Sequence, residues 1–241
     1  MNDEIVFRSV KSQREITEEW DSIALARNEQ LMRNDDISFS KVLKPYILGS
    51  IKDAGSIIDV GCGTGTLTTA LRAPGRRLLG VDPSARSVNV ARKSDPSGNY
   101  LVSTLEEWVE VNPSERFEVA VVNMVLMDVP DLRAFCEALS RVVRGGRVIA
   151  TIAHPIFWPI YWNYSSYPDF DYLSETVVEG PFRTTSVHYG HKTTHFHRPL
   201  SRYFAEITAA GMNVEKFDEL RGMESSTRFP FPRFAAFELE A

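Results

Sequence analysis

Ile57-Ile58-Asp59-Val60-Gly61-Cys62-Gly63-Thr64-Gly65 carries the reading that decides the fold of this 241-residue chain. A buried-strand run ends in three alternating glycines and then enters a helical pattern. Glycines at a strand end remove the side chains that would keep the backbone from closing around a ligand, and they tolerate the positive φ of a tight turn. Their spacing narrows the ligand class. A dinucleotide fingerprint reads G-x-G-x-x-G, whereas Gly61, Gly63 and Gly65 read G-x-G-x-G and position 66 is Thr.

Outward from the turn, strand and helix patterns alternate. Strands are expected at 56–61, 77–82, 100–104, 117–123 and 147–153, with helices at 65–73, 84–94, 105–111 and 131–143 between them. That order predicts an α/β fold: a doubly wound, mostly parallel, Rossmann-like sheet. A helix near 199–210 and strands near 213–220 and 233–240 complete seven strands, the last one antiparallel. Residues 12–53 repeat apolar positions at helical spacing (Ile16, Trp20, Ile23, Ala24, then Phe39 to Ile51), broken at Asn34-Asp35-Asp36. One domain over 1–241 is expected: a helical lid at 1–55, a cofactor-binding core at 56–153, a cap at 154–198 and a closing helix with two strands at 199–241.

Composition removes several function classes. A net charge of −5 without a basic block gives nucleic acid no electrostatic footprint. The two cysteines, Cys62 and Cys136, suggest no disulfide framework, and reduced cytosol fits best. No apolar run is long enough for a membrane span, so no membrane partner is expected. The expected partner is a small molecule, with the chain a monomer or homodimer.

In doubly wound sheets ligands sit outside the carboxyl ends of the strands, which places Gly61, Asp82, Thr104, Asn123 and His154 on one rim. Asp82 closes an apolar strand and is placed to accept both hydroxyls of a ribose; it is equally placed to cap the helix from Ser84. Together these motifs resemble the class I S-adenosylmethionine-dependent methyltransferases. The resemblance implies S-adenosyl-L-methionine as cofactor and S-adenosyl-L-homocysteine as product. It also implies that Asp59 organises the glycine loop and the ammonium end, with Gly61, Cys62 and Gly63 lending backbone. By the same resemblance Asp82 and Pro83 meet the ribose and adenine, and Thr104 and Leu105 meet the adenine. Position 104 is often Asp in that family. Asn123-Met124-Val125-Leu126-Met127-Asp128-Val129, followed by Leu139 to Gly146, is similar to the family's fourth-strand motif and the helix and glycine turn after it, and Asn123-Met124-Val125-Leu126 departs from the Pro-Pro-aromatic form of base-amine methyltransferases. Trp20 is similar to an aromatic folded over the cofactor, and it also fits the core side of an amphipathic helix.

Residues 154–198 show no clean period, yet hold all five histidines, two of four tryptophans and five of eight tyrosines. We read this stretch as a cap over the active site. If the acceptor is a hydroxyl, a base must take its proton, and His154 at the end of the fifth strand and His197 before the last helix are the candidates. Both also suit structural roles. The spacing of His188, His191, His195 and His197 matches no zinc motif, so no metal is expected. The function expected is methyl transfer to an oxygen or nitrogen of a small molecule. The alternatives are a protein using bound S-adenosylmethionine for other chemistry or as a non-catalytic partner, and an NAD-dependent oxidoreductase.

Overall fold

The computed structural model describes residues 5–51, 53–183, 188–223 and 229–241, without the side chains of 183 and 188–190. The chain opens with β1 (Val6–Arg8) and α1 (Gln13–Met32), then a π-helical turn, Phe39–Leu43, that runs into α2 (Lys44–Ser50). The alternating region gives β2 (Ser56–Val60), α3 (Thr66–Ala70), β3 (Arg77–Asp82), α4 (Ala85–Ser94) and β4 (Tyr100–Val102). It continues with α5 (Leu105–Val111), β5 (Val119–Asn123), α6 (Leu132–Val142) and β6 (Arg147–Ala153). After it come α7 (Trp158–Tyr161), β7 (Thr176–Arg183), β8 (His188–His197), α8 (Leu200–Ala209), β9 (Asn213–Leu220) and β10 (Phe234–Glu240).

Seven strands form one sheet in the order β4-β3-β2-β5-β6-β10-β9, and β10 runs antiparallel to both its neighbours, as the sequence predicts. Successive side chains of each central strand serve opposite faces. Ile57, Val119, Val121 and Ile149 pack with Ile47, Leu67 and Leu71 on one side. Ile58, Val60, Ala120, Val122 and Ala150 pack with Phe135, Leu139 and Ile207 on the other. With both faces covered, these strands read as continuous apolar runs. The strand order reverses between β2 and β5, which puts the glycine turn at the switch point. Side-chain caps start the following helices at once: Ser84 Oγ accepts from Ser87 N, Thr104 forms a capping box with Glu107, and Asp131 accepts from Ala134 N.

The region between β6 and α8 departs from the expectation of an aperiodic cap. β7 and β8 form an antiparallel hairpin, and the N-terminal β1 adds to its edge as a third strand. The hairpin is sandwiched, which explains the missing alternation. Val177 and Phe196 pack against Ile16 and Trp20 of α1, while Val178 packs on the opposite face with Trp162 and Tyr164. Polar Thr193, Thr194, His195 and His197 are buried as well, so no polar-out face marks the strand. Lys11 joins the layers, donating to Glu19 Oε1 at 2.5 Å and Glu179 Oε2 at 2.8 Å. Burial pushes the Glu179 carboxyl up, but Lys11 and Lys192 outweigh it and hold it at about 2.

Arg198, 1% exposed, fastens the hairpin to the main sheet. Its guanidinium donates to the carbonyls of Leu126 (3.2 Å), Val129 (2.8 Å) and Pro130 (3.0 Å), all in the loop after β5, and to Glu175 at 2.9 Å. Replacing it strands three carbonyls and half of an ion pair. Arg198→Met is expected to cost about 3–5 kcal/mol, read as a lower thermal midpoint, with Arg198→Lys recovering only part because an ammonium cannot span the three carbonyls. A midpoint unchanged in Arg198→Met would show that the fork does not hold the hairpin.

Candidate active site

A cavity lies at the carboxyl ends of β2, β3, β4 and β5 and is roofed by α1. Every cofactor-site residue expected from sequence lines it: Trp20, Asp59, Gly61, Cys62, Gly63, Asp82, Pro83, Thr104, Leu105, Asn123 and Met124. The loop after β2 is built for close approach. Gly61 has φ +70°, and a β-carbon there would overlap Val125 Cγ2 from the loop after β5. Gly63 has φ +54°, and a β-carbon there would meet no protein atom within 4 Å, leaving space in front of the loop.

Asp82 clamps that loop while facing the cavity: its Oδ2 accepts from Gly63 N and its Oδ1 from Ser84 N, each at 2.8 Å. Each oxygen keeps acceptor capacity for a ligand hydroxyl. Asp82 thus serves both the cavity and the turn before α4, while the helix cap proper comes from Ser84. Asp59 accepts from Thr68 Oγ1 at 2.6 Å. Burial pushes the Asp59 carboxyl up to about 7 and the Asp82 carboxyl to about 6. Among the described residues the buried Thr64 hydroxyl has no hydrogen-bond partner, and Thr64 lines the same cavity. An unpaired buried hydroxyl and two carboxyls with free lone pairs in one cavity wall suit a hydrogen-bonding ligand such as a nucleoside with an amino-acid tail. Cys62 turns its side chain into a cluster with Val88, Ala91 and Tyr100, and burial raises its thiol well above the usual value.

A second cavity adjoins the first. The two share Trp20, Arg27, Phe39, Asn123, Met124 and Asp128 as lining residues. Its remaining walls include Leu43, Met127, Trp158, Trp162, Phe182 and Phe234, with Thr193, Thr194, His195 and Arg233 as polar members. Trp20 packs edge-on to Phe182, centroids 5.8 Å apart. Met124 holds φ +60° at the junction, a left-handed conformation uncommon for a long side chain, and its N–H donates to Thr151 O at 2.8 Å.

The structure does not bring His154 and His197 to either cavity. His154 is fully buried, donates from Nε2 to Glu219 Oε1 at 2.8 Å and accepts from Ile156 N on Nδ1. His197 Nε2 donates to the Tyr172 carbonyl at 3.0 Å, its ring against Phe170. Burial lowers the pKa of both. The physical reason is the hairpin: β8 turns His197 away from the rim and brings in His195, whose Nε2 lies 3.0 Å from the Tyr164 hydroxyl. Burial holds the His195 imidazole down to about 3. Among the described residues no three His, Cys, Asp or Glu side chains are arranged for a metal ion, and the side chains of His188 and Tyr189 lie outside those residues. Sequence reading passed over Gln13, Thr17 and Arg27 on α1, which line the first cavity with Ile16 and Trp20, and Asp128 in the loop after β5. The helical spacing 13, 16/17, 20, 24, 27 was the available signal.

The raised Asp59 pKa fixes a pH dependence. The folded chain binds more protons than the unfolded one between pH ~4 and ~7, so this group's stabilisation is present below pH 4 and is lost as pH rises through 7. Asp59→Asn removes the ionisation cost. Its melting temperature relative to wild type is expected to climb from pH 4 to 7.5; a difference that stays flat would contradict an Asp59 pKa near 7.

Residues 58–150 match the family model described as "Methyltransferase domain". A ubiquinone biosynthesis O-methyltransferase from Rhodopseudomonas palustris (strain HaA2) is 34% identical over 103 residues, 40% of this chain and 39% of that protein. The chain thus aligns with about two-fifths of the length of such curated relatives. Among solved structures, an S-adenosylmethionine-dependent methyltransferase from Clostridium acetobutylicum ATCC 824 superposes with a TM-score of 0.64 at 14% identity, covering 89% of this chain and 98% of that one. The Burkholderia thailandensis 1,6-didemethyltoxoflavin-N1-methyltransferase, with 1,6-didemethyltoxoflavin and S-adenosylhomocysteine bound, superposes at 0.62 with 12% identity, covering 98% and 92%. Among the described residues no helix is long and apolar enough to cross a membrane. With its switch-point glycine loop and seven-stranded sheet, this chain has the fold of the S-adenosylmethionine-dependent methyltransferases it superposes on, and its segment 58–150 is similar to a methyltransferase domain.

Proposed function

We propose that this chain transfers a methyl group from S-adenosylmethionine to an oxygen or nitrogen of a small-molecule acceptor, with the cofactor in the first cavity and the acceptor in the second. One observation carries the reading: the two cavities share a wall made of Trp20, Arg27, Phe39, Asn123, Met124 and Asp128, so ligands in both would meet there. S-Adenosylmethionine supplies a methyl already activated on a positive sulfur. The protein's part is then to orient and enclose the reactants, and well-oriented approach contributes about 7–11 kcal/mol.

In this reading Asp82 accepts from the ribose hydroxyls, Asp59 and the backbone of Gly61, Cys62 and Gly63 hold the amino-acid end, and Pro83, Thr104 and Leu105 flank the adenine. The Thr104 hydroxyl accepts from Glu107 N and keeps its own O–H as a donor. Residues 1–55 serve as a lid, with Trp20 closing the cavity over the cofactor. Residues 154–198 serve as the acceptor cap, where Trp158, Trp162 and Phe182 favour an apolar or aromatic molecule. The N1-methyltransferase whose solved structure holds a bound heterocycle is in keeping with an acceptor of that size.

Asp82→Ala is expected to weaken S-adenosylhomocysteine binding by roughly 10–100-fold, the equivalent of about 1.5–3 kcal/mol for a charged hydrogen bond, with the circular dichroism spectrum kept. Equal affinity in calorimetry would remove Asp82 from the site. S-Adenosylhomocysteine at about 100 times its Kd should add about 2.7 kcal/mol to stability and raise the melting temperature. Stabilisation by NADH instead would contradict the cofactor assignment.

A further inference from the structure

We propose that Asp128 is the proton acceptor of methyl transfer, its carboxylate standing where the two cavities meet, so that the acceptor atom carries a hydrogen as O–H or N–H. This rests on the assignment of the two cavities above. Asp128 lines both, and its N–H donates to Val125 O at 2.7 Å, fixing the turn just beyond β5. Its neighbours Leu126, Met127 and Val129 are buried in the core, which leaves residue 128 as the polar side chain of that turn. Among the described residues nothing donates a hydrogen bond to its carboxylate. Asp128 is half-buried, and a carboxyl that faces two cavities without a donor is one that a ligand can complete.

The other titratable groups of the second cavity serve the role less well. Asp36 is paired with Arg27 at 2.8 Å. His195, held at about 3, is too weak a base near neutrality. His154 and His197 are engaged outside the cavities.

The charges around Asp128 come from several elements. Glu19 on α1 adds repulsion and Arg198, after β8, relieves part of it, but burial is the largest influence, and the carboxyl lies well above its ordinary value. Arg27 on α1, Asp36, His195 on β8 and Arg233 before β10 line the same cavity, and the buried Tyr203 phenol on α8 feels the Asp128 charge. A positive charge arriving beside the carboxyl works against that upward shift and favours its ionised form. In the step itself an acceptor lone pair forms the bond to the methyl carbon, the carbon–sulfur pair stays on sulfur, and the acceptor's proton passes to an Asp128 oxygen.

The test compares two ligands that differ by that charge. S-Adenosylmethionine and S-adenosylhomocysteine are titrated calorimetrically into wild type, Asp128→Asn and Asp128→Glu, in buffers of different ionisation enthalpy. In wild type the affinity for S-adenosylmethionine relative to S-adenosylhomocysteine should rise about tenfold as the pH climbs through the range in which the Asp128 carboxyl ionises, with protons released only by S-adenosylmethionine. Asp59 and Asp82 would face parts common to both ligands, so their titration cancels in the ratio. Asp128→Asn should lose the pH dependence of the ratio, and Asp128→Glu should retain it. A ratio independent of pH in wild type, or a dependence that persists in Asp128→Asn, overturns the assignment. Failure of wild type to bind either ligand would instead overturn the cofactor site on which it depends.

Discussion

Val125 occupies the space that a β-carbon on residue 61 would need, and on that contact the rest of the site depends. Because Gly61 carries only a hydrogen, the loop after β5 can press onto the loop after β2 at the point where the strand order reverses. The two loops then shape one surface. Gly61 at φ +70° turns the chain, the N–H of Gly63 is held by Asp82, and Met124 takes its left-handed conformation on the facing side. A side chain at 61 would part the loops and open the junction between the two cavities.

The second constraint is that both cavities are closed by chain from outside the main sheet. α1 is held at its start by Lys11 between Glu19 and Glu179, and at its middle by Asp21, which accepts from Ser84 Oγ at 2.6 Å and Arg86 N at 3.0 Å. One helix is thus tied to the hairpin and to the rim beside Asp82. Thr194 of the hairpin donates to Glu19 at 3.0 Å, and Arg198 locks the hairpin's end to the loop that contains Asp128. Hydrogen bonds thus run from α1 through the hairpin to the loop after β5, along the walls of the second cavity.

The parts legible from sequence were those where a periodic pattern and a local backbone requirement coincide. The glycine turn, Asp82 at a strand end and the seven-strand order all belong to that class, and the residues they named line one cavity. The hairpin was hidden because β8 buries polar residues on both faces, leaving neither alternation nor an apolar run. His154 and His197 stood at suggestive places along the chain, but side-chain direction depends on the register of β7 with β8 and on Glu219 from β9, which no local pattern encodes. Asp128 belongs to the stretch that resembles the fourth-strand motif, but the motif assigns it no role, and the packing of α1 and the hairpin is what makes it a wall of both cavities.

Methyl transfer needs little more than what this arrangement offers: a cradle without side chains, a carboxylate rim and an aromatic chamber sharing one wall. The most direct measurement is a crystal structure of the protein grown with S-adenosylhomocysteine. The account predicts density along the β2, β3 and β4 rim, with the ribose on Asp82 and the thioether sulfur beside Trp20, Met124 and Asp128, opening toward Trp158 and Phe182. Density lodged elsewhere, or a sulfur pointing away from the aromatic chamber, would contradict it.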